Sequence, residues 1–213
     1  MESDPKADDL IIKNEHLKTT QSARVMMDTA YGQIVAEIYT AAAPVTATNF
    51  LRYIDAGLYA EASFYRAARP DNDRRVPHIS VLQGGIDETC RSAPFPPIPH
   101  ESTRATGLTH CNGALSAVRW EPGTATSEFF IVVGDTPELD FGGARNPDGQ
   151  GFAAFGRVIL GMDVVRQIHA GRTGTTSTVE FLQNQSLIPP VGLSVERLAT
   201  DSRENEPGLP RRR

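Results

Sequence analysis

Three side chains that could act together lie in separate strand-like segments of the chain: Arg66, Gln83 and Phe130. An arginine is a rigid, permanently charged hydrogen-bond donor, and a strand-like run rarely contains one without a reason. A glutamine can orient such a donor, and a phenylalanine can form one side of an apolar pocket. On its own, the arginine therefore favours a functional cation over a surface charge among the arginines of residues 69–75. For the phenylalanine on its own, ordinary core packing is favoured.

The pattern around these residues predicts a mainly β protein. Short β-rich runs are separated by turn residues, and Gly32 lies between two of them as in a hairpin. The predicted strands cover residues 23–29, 33–38, 63–66, 79–84, 113–118, 128–133, 153–159 and 191–198. Two helices are predicted, one from Pro44 to a C-terminal Gly57 and one over Met162–His169. Because no strand–helix–strand rhythm is present, the pattern favours a closed eight-stranded antiparallel barrel capped by two α-helices.

The length of 213 residues fits one domain with extended ends. We predict a flexible N-terminal arm over residues 1–22, one folded domain over 23–198 and a disordered C-terminal tail over 199–213. The net charge of −5 gives no electrostatic reason to expect a nucleic acid or an anionic membrane as partner. No apolar run approaches the ~18 residues of a transmembrane helix. The N-terminus has no signal-peptide pattern, so the expected location is cytoplasmic, or periplasmic or secreted if a signal peptide has been removed.

The cysteines and histidines do not form a metal-binding pattern. Cys90 and Cys111 are too few for a disulfide framework. Two unpaired thiols are favoured, and a single bridge between them is the alternative that geometry would decide. His78, His100 and His110 lack the spacing of metal ligands. We therefore expect no metal site.

Three segments, in their order along the chain, resemble the cyclophilin-type peptidyl-prolyl isomerases. They are Ser63–Arg66, Leu82–Gly85 and Thr126–Val133. The similarity extends over about residues 23–198 and includes Asn49–Phe50, Gly113–Ser116, Pro137–Asp140, Phe155–Val158 and Gly161–Val165. The resemblance implies an eight-stranded antiparallel barrel with two helices. It also implies cis–trans isomerisation of the bond before proline without cofactor or covalent intermediate, proline-containing polypeptides as partners, and a monomer.

The resemblance also implies roles for individual residues. Arg66 corresponds to the catalytic arginine, and Gln83 to the glutamine that orients it and contacts the substrate backbone. The implied substrate-binding residues are Phe130, Leu139, Phe152, Val118, Arg119 and Glu128. Within this set Phe130 is the base of the proline pocket and Leu139 one wall. Val118 and Arg119 belong to a strand whose contribution is expected to be largely through its backbone.

Several positions depart from the pattern of the family. Ser80 and Val81 stand where well-studied members carry phenylalanine and methionine, and Glu138 stands where many have tryptophan. The missing tryptophan predicts weak binding of cyclosporin. An insertion centred on residues 69–77 and an enlarged loop over 141–151 are expected to border the groove. Separately, Tyr65 and Phe152 replace histidines of many members, and Glu128 replaces a common glutamine.

The leading hypothesis is a peptidyl-prolyl cis–trans isomerase that assists protein folding. The alternative is a proline-peptide-binding or chaperone-like module with weak or no turnover, which the missing pocket aromatics favour. A third hypothesis is a scaffold with an inert barrel that docks a partner through its tail and loops. The matches at Arg66 and Phe130 favour the enzyme.

Overall fold

The computed structural model describes residues 22–86 and 93–199. All but one residue of the predicted N-terminal arm, and all but one of the predicted tail, lie outside the described residues. Cys90 also lies outside them, so a bridge between Cys90 and Cys111 stays untested.

In the part of the chain that the structure describes, nine antiparallel strands form one continuous sheet. They are β1 Ala23–Thr29, β2 Gly32–Ile38, β3 Ala62–Ala68, β4 Val81–Gly85, β5 Ala114–Ala117, β6 Phe129–Val132, β7 Ala153–Leu160, β8 Thr173–Gly174 and β9 Ser186–Arg197. The order across the sheet is β1-β2-β7-β5-β6-β4-β3-β9, and pairing of β9 with β1 closes it. The two-residue β8 pairs only with β9, outside the closed ring. The predicted eight-stranded closed barrel is confirmed.

Within the described residues three α-helices accompany the barrel, one more than expected: α1 Pro44–Asp55, α2 Thr103–Thr106 and α3 Met162–His169. Pro44 opens α1, where a missing N–H is harmless. The chain leaves α1 through Gly57, whose φ of 68° is the left-handed conformation that glycine adopts readily. The additional helix α2 is a single turn, too short to leave an apolar periodicity in the sequence.

The apolar residues of the barrel wall fall into two clusters because side chains alternate across each strand. One cluster fills the interior, where Phe50 of α1 packs with its ring centre 5.2 Å from that of Phe129 and 5.1 Å from that of Phe155. The other cluster lies on the opposite face of β4, β5 and β6 and includes Val81, Phe130 and Val132. This second cluster forms the floor of the candidate site.

Candidate active site

The strand register places the three predicted side chains in one row. Arg66 on β3 is the cross-strand partner of Gln83 on β4, and Gln83 is in turn the partner of Phe130 on β6. Directly opposed residues of neighbouring strands lie about 5 Å apart. Residues that are widely separated in sequence therefore form a continuous surface of cation, amide and aromatic ring.

A β-bulge determines what β3 contributes to this surface. The register between β3 and β4 shifts between Phe64 and Arg66, so Tyr65 is the extra residue on β3. Against β9 the irregularity lies on β9, between Ser186 and Val191. A bulge interrupts strict alternation and re-aims side chains. Phe64 is fully buried in the interior cluster, whereas the next two residues, Tyr65 and Arg66, both line the groove.

The glycine pair after Gln83 is required by close packing. A Cβ on Gly84 would lie 2.7 Å from the carbonyl oxygen of Ser63 on the neighbouring strand. Gly85 has φ of 125°, and its Cβ would lie 2.8 Å from the carbonyl oxygen of Ser127. The pair thus lets β4 approach β3 and the start of β6, which brings Gln83 within reach of Arg66.

Two neutral amides hold the guanidinium of Arg66. Its Nε donates to Oε1 of Gln185 at 2.8 Å, and its Nη1 donates to Oε1 of Gln83 at 2.5 Å. Its Nη2 has no hydrogen-bond partner within residues 22–86 and 93–199. Burial lowers the pKa of Arg66 to about 10; Tyr65 opposes this change and the positive charge of Arg145 adds to it. The group is therefore cationic at neutral pH and keeps donors for a bound molecule.

Tyr65 links Gln83 to Glu128. Gln83 donates from Nε2 to the Tyr65 hydroxyl at 2.6 Å, and that hydroxyl donates to Oε1 of Glu128 in a very short hydrogen bond. Burial, followed by the Glu128 carboxylate, raises the pKa of Tyr65 well above its ordinary value. The phenol therefore stays protonated, and its two bonds fix the amide of Gln83 with Oε1 toward Arg66.

An apolar pocket adjoins the cation. The cavity has a volume of about 440 Å³, and it is lined by all eight residues expected from the sequence: Arg66, Gln83, Phe130, Leu139, Phe152, Val118, Arg119 and Glu128. The rings of Phe130 and Phe152 meet edge to face, with centres 5.3 Å apart. Leu139 is fully buried behind them. A compact apolar group such as a pyrrolidine ring fits this surface.

The side chain of Arg119 makes several contacts beside the groove. Its guanidinium is buried, donates to both carboxylate oxygens of Asp148 at 2.7 and 2.9 Å, and donates from Nε to the carbonyl oxygen of Gly151 at 2.8 Å. It also lies over the Phe152 ring, 5.3 Å from its centre. Val118 uses its N–H within the protein, donating to the carbonyl oxygen of Glu128. The backbone role expected for Val118 and Arg119 stays a prediction, and the side chain of Arg119 fixes the enlarged loop.

The two insertions border the groove, as predicted, and an ion pair joins them. Arg145 donates to the two carboxylate oxygens of Asp73 at 2.7 and 3.0 Å. The Asp73 side chain is 0% exposed and that of Arg145 is 4% exposed. Arg145 also donates to the carbonyl oxygens of Arg75 and Pro77 at 3.2 and 2.9 Å. The pair fixes one wall of the cavity, beside the row formed by Arg66, Gln83 and Phe130.

Comparison with known proteins agrees with this geometry. The family model "cyclophilin type peptidyl-prolyl cis-trans isomerase/CLD" matches residues 24–188. The chain belongs to this family. A peptidyl-prolyl cis-trans isomerase of Acinetobacter baylyi is 34% identical over 174 residues, covering 81% of this chain and 84% of that protein. Peptidyl-prolyl cis-trans isomerase B of Escherichia coli is 31% identical over 165 residues, covering 77% of this chain and 94% of that protein.

Solved cyclophilin structures share the fold. The crystal structure of a Cryptosporidium parvum cyclophilin-type isomerase superposes with a TM-score of 0.63 at 18% identity, covering 84% of this chain and 99% of that one. A second structure of that protein, determined in the presence of the dipeptide Ala-Pro, gives a TM-score of 0.64 at 19% identity, covering 84% and 100%. The protein is thus a peptidyl-prolyl cis–trans isomerase, and the alternative of a binding module without turnover is not favoured.

Several residues that line the groove of this cyclophilin were not identified from the sequence. Ser80 does not line the cavity; its hydroxyl instead lies 3.4 Å from Nε2 of His169. Ile79 and Val81 on either side of it do line the cavity. The further lining residues are Arg75, Trp120, Arg145, Asn146, Phe181 and Leu182. Most of them come from loops, where no periodicity predicts the direction of a side chain.

A buried Ser–His–Asp arrangement supports the pocket floor. Nε2 of His110 lies 2.9 Å from the hydroxyl of Ser116, and its Nδ1 lies 2.7 Å from Oδ1 of Asp140. Ser116 is 0% exposed and His110 is 1% exposed, so no substrate carbonyl can reach this hydroxyl. The His110 ring stacks on Phe130, with centres 6.0 Å apart and planes inclined by 21°. The arrangement therefore positions Phe130 and does not form a nucleophile.

Within residues 22–86 and 93–199, His, Cys, Asp and Glu form no group of three or more that could hold a metal ion. In the same part of the chain, no helix combines the length and the hydropathy needed to span a bilayer.

Proposed function

We propose that the groove binds an extended chain with its proline ring against Phe130, Leu139 and Phe152, and that Arg66 accelerates rotation about the preceding peptide bond. The observation that carries this proposal is the row formed by Arg66, Gln83 and Phe130 across three adjacent strands. It places a cationic donor and an apolar pocket on neighbouring positions of one rigid surface.

Rotation about an X–Pro bond is slow because peptide resonance creates a barrier of roughly 18–20 kcal/mol. In the twisted transition state that resonance is lost, and the proline nitrogen gains a basic lone pair. A catalyst accelerates the reaction when it binds this twisted form more tightly than either planar form. No bond is broken, so a nucleophile is unnecessary.

Arg66 has the properties that the twisted state requires. Its charge is retained at neutral pH, and its unused Nη2 donors can bind the proline nitrogen or the neighbouring carbonyl oxygen. Gln83 and Gln185 fix the plane of the guanidinium, so little reorganisation accompanies the reaction. Because both partners are neutral, they do not neutralise the charge that acts on the substrate.

The decisive experiment is NMR exchange spectroscopy on an Ala-Pro peptide, comparing wild type, Arg66→Ala and the matched control Arg74→Ala. Arg74 is an exposed residue of the insertion that does not line the cavity. Loss of a charge-assisted hydrogen bond predicts a fall in exchange rate of about 10- to 100-fold for Arg66→Ala. The Arg74→Ala protein should retain full activity. Undiminished exchange with Arg66→Ala would exclude the assigned role.

We also propose finer properties of the isomerase. We expect it to act as a monomer on proline-containing polypeptides and to assist their folding in the cytoplasm, or in the periplasm or outside the cell if a signal peptide has been removed. We also expect weak binding of cyclosporin, because Glu138 replaces a common tryptophan and is not among the residues that line the cavity. A nanomolar complex, measured by calorimetry, would contradict the last expectation.

A further inference from the structure

Besides Arg66, a second arginine at the groove has no acidic partner among the described residues. Arg75 is half-buried and lines the cavity. Its Nη2 donates to the carbonyl oxygen of Arg145 at 2.7 Å, and its guanidinium carbon lies 5.1 Å from the centre of the Phe181 ring. Among the residues that the structure describes, no carboxylate lies within ion-pair distance of Arg75. Most of its five N–H donors remain available.

The acid nearest in sequence cannot supply that partner. Both carboxylate oxygens of Asp73 accept hydrogen bonds from Arg145, and they also accept from the backbone N–H groups of Ile79 and Arg75. Turning Asp73 toward the Arg75 guanidinium would leave Arg145 buried without a counter-charge, which is strongly unfavourable. The charge of Arg75 is therefore left for a bound molecule.

The surrounding cavity is cationic although the chain carries a net charge of −5. Among the described residues, four arginines line it together with a single carboxylate, that of Glu128; the arginines are Arg66, Arg75, Arg119 and Arg145. Two of them are neutralised, Arg119 by Asp148 and Arg145 by Asp73. A groove of this kind attracts anions and disfavours cations.

Aromatic side chains continue the surface away from Arg75. Phe181 lies beneath the guanidinium, and its ring meets that of Trp120 edge to face with centres 6.3 Å apart. Trp120 also lines the cavity and is 64% exposed. A short apolar stem that carries an anionic head would place its stem against these rings and its head on Arg75.

We propose that Arg75, Phe181 and Trp120 form a specificity subsite that selects substrates with an anionic side chain close to the isomerised X–Pro bond. The proposal rests on the proposed binding of substrate in this groove. The anion is a carboxylate of aspartate or glutamate, or a phosphate on serine, since a guanidinium binds both through paired hydrogen bonds.

The test uses peptides that differ in one residue, placed either two positions before or one position after proline: glutamate, glutamine, phosphoserine or lysine. Exchange spectroscopy gives kcat/KM for each. At low ionic strength we expect the wild type to prefer glutamate over glutamine by about three- to fivefold at one of these positions. The preference should fall toward unity at about 1 M salt, where the Debye length is ~3 Å. If kcat/KM for the phosphoserine peptide exceeds kcat/KM for the glutamate peptide more than tenfold, phosphate is identified as the anion. Equal values for the two peptides would identify carboxylate.

Variants separate a specific role from a structural one. In Arg75→Gln, kcat/KM for the glutamate peptide should equal kcat/KM for the glutamine peptide. The charge reversal Arg75→Glu should favour the lysine peptide. The neighbouring control Arg74→Gln should keep the wild-type ratio. A ratio that survives Arg75→Gln, or a wild type without any charge preference, would overturn the proposal.

The affinities of the same peptides provide a readout that does not require turnover. Trp120 is the single tryptophan of the chain, so its fluorescence reports binding at the proposed subsite. Isomerisation of the glutamine peptide without a glutamate preference would overturn the subsite and leave the proposed function intact. A glutamate preference in affinity without any accelerated exchange would overturn the proposed function and support the subsite.

Discussion

The ion pair that joins the two insertions should be the most sensitive charged contact of the protein. Asp73→Asn keeps the size of the side chain and removes its charge, so Arg145 is left 96% buried without a counter-ion. Breaking a buried pair on one side typically costs 3–5 kcal/mol. Arg145 keeps the carbonyl oxygens of Arg75 and Pro77 as partners, which places the expected loss near the lower end, about 3 kcal/mol. For a chain of this size, that loss lowers Tm by about 6–12 °C.

The matched control is an aspartate two residues away. Asp71 pairs with Arg69 at 3.2 Å, and its side chain is 74% exposed. Exposed pairs contribute about 0–1 kcal/mol, so Asp71→Asn should lower Tm by no more than about 4 °C. The two variants thus make the same chemical change in the same insertion, one at a buried aspartate and the other at an exposed one.

Thermal unfolding should be followed by far-UV circular dichroism and by Trp120 fluorescence. Coincident transitions in Asp73→Asn would show that the insertions unfold with the barrel, and an earlier fluorescence transition would show that the groove opens first. A double-mutant cycle with Arg145→Met measures the coupling energy of the pair. Equal Tm values for the Asp73→Asn and Asp71→Asn proteins, or a coupling energy near zero, would refute the reasoning.

Two further predictions concern Tyr65 and His169. Tyr65→Phe removes the hydroxyl that accepts a hydrogen bond from Gln83 and donates one to Glu128. We expect kcat/KM to fall about tenfold, which corresponds to an increase of ~1.4 kcal/mol in activation free energy. Unchanged kcat/KM would show that Gln83 needs no such support. Burial lowers the pKa of His169 in the folded protein. The unfolded state therefore binds more protons in acid, and the contribution of His169 to stability is complete above about pH 6.5 and is lost as the pH falls toward the lower folded-state pKa. The free energy of unfolding, measured between pH 7.5 and 5 by urea titration, should decrease less in His169→Gln than in wild type; parallel pH profiles would contradict this.

The barrel could be predicted because its signals are local. Alternating apolar residues, turn glycines and a proline at the start of α1 each depend on a few neighbouring residues. The largest error in a strand boundary occurs in β9, which begins at Ser186 although the sequence predicted a start near residue 191. Pro189 and Pro190 argue against a strand because proline cannot donate a ladder hydrogen bond. The pairing with β3 passes directly from Val191 to Ser186, so these prolines are tolerated at an irregularity.

The site residues on strands could be predicted from the sequence, and those on the surrounding loops could not. Arg66, Gln83 and Phe130 lie on strands, where register alone brings them together. The wall formed by Arg75 and Arg145 depends on an ion pair between insertions 72 residues apart. No local pattern distinguishes Asp73, which is buried, from Asp71, which is exposed. Phe181 and Trp120 likewise meet only because separate loops converge.

The closure of the barrel has a consequence for synthesis on the ribosome. Strand β9 pairs with both β1 and β3, and Gln185 immediately before it holds the guanidinium of Arg66. The chain emerges N-terminus first, so these contacts form only after the last strand has left the ribosome. Until then β1 and β3 each have an unpaired edge, and Arg66 lacks one of its two supports. The isomerase is therefore expected to be inactive as a nascent chain and to gain its activity in the same step that closes its sheet.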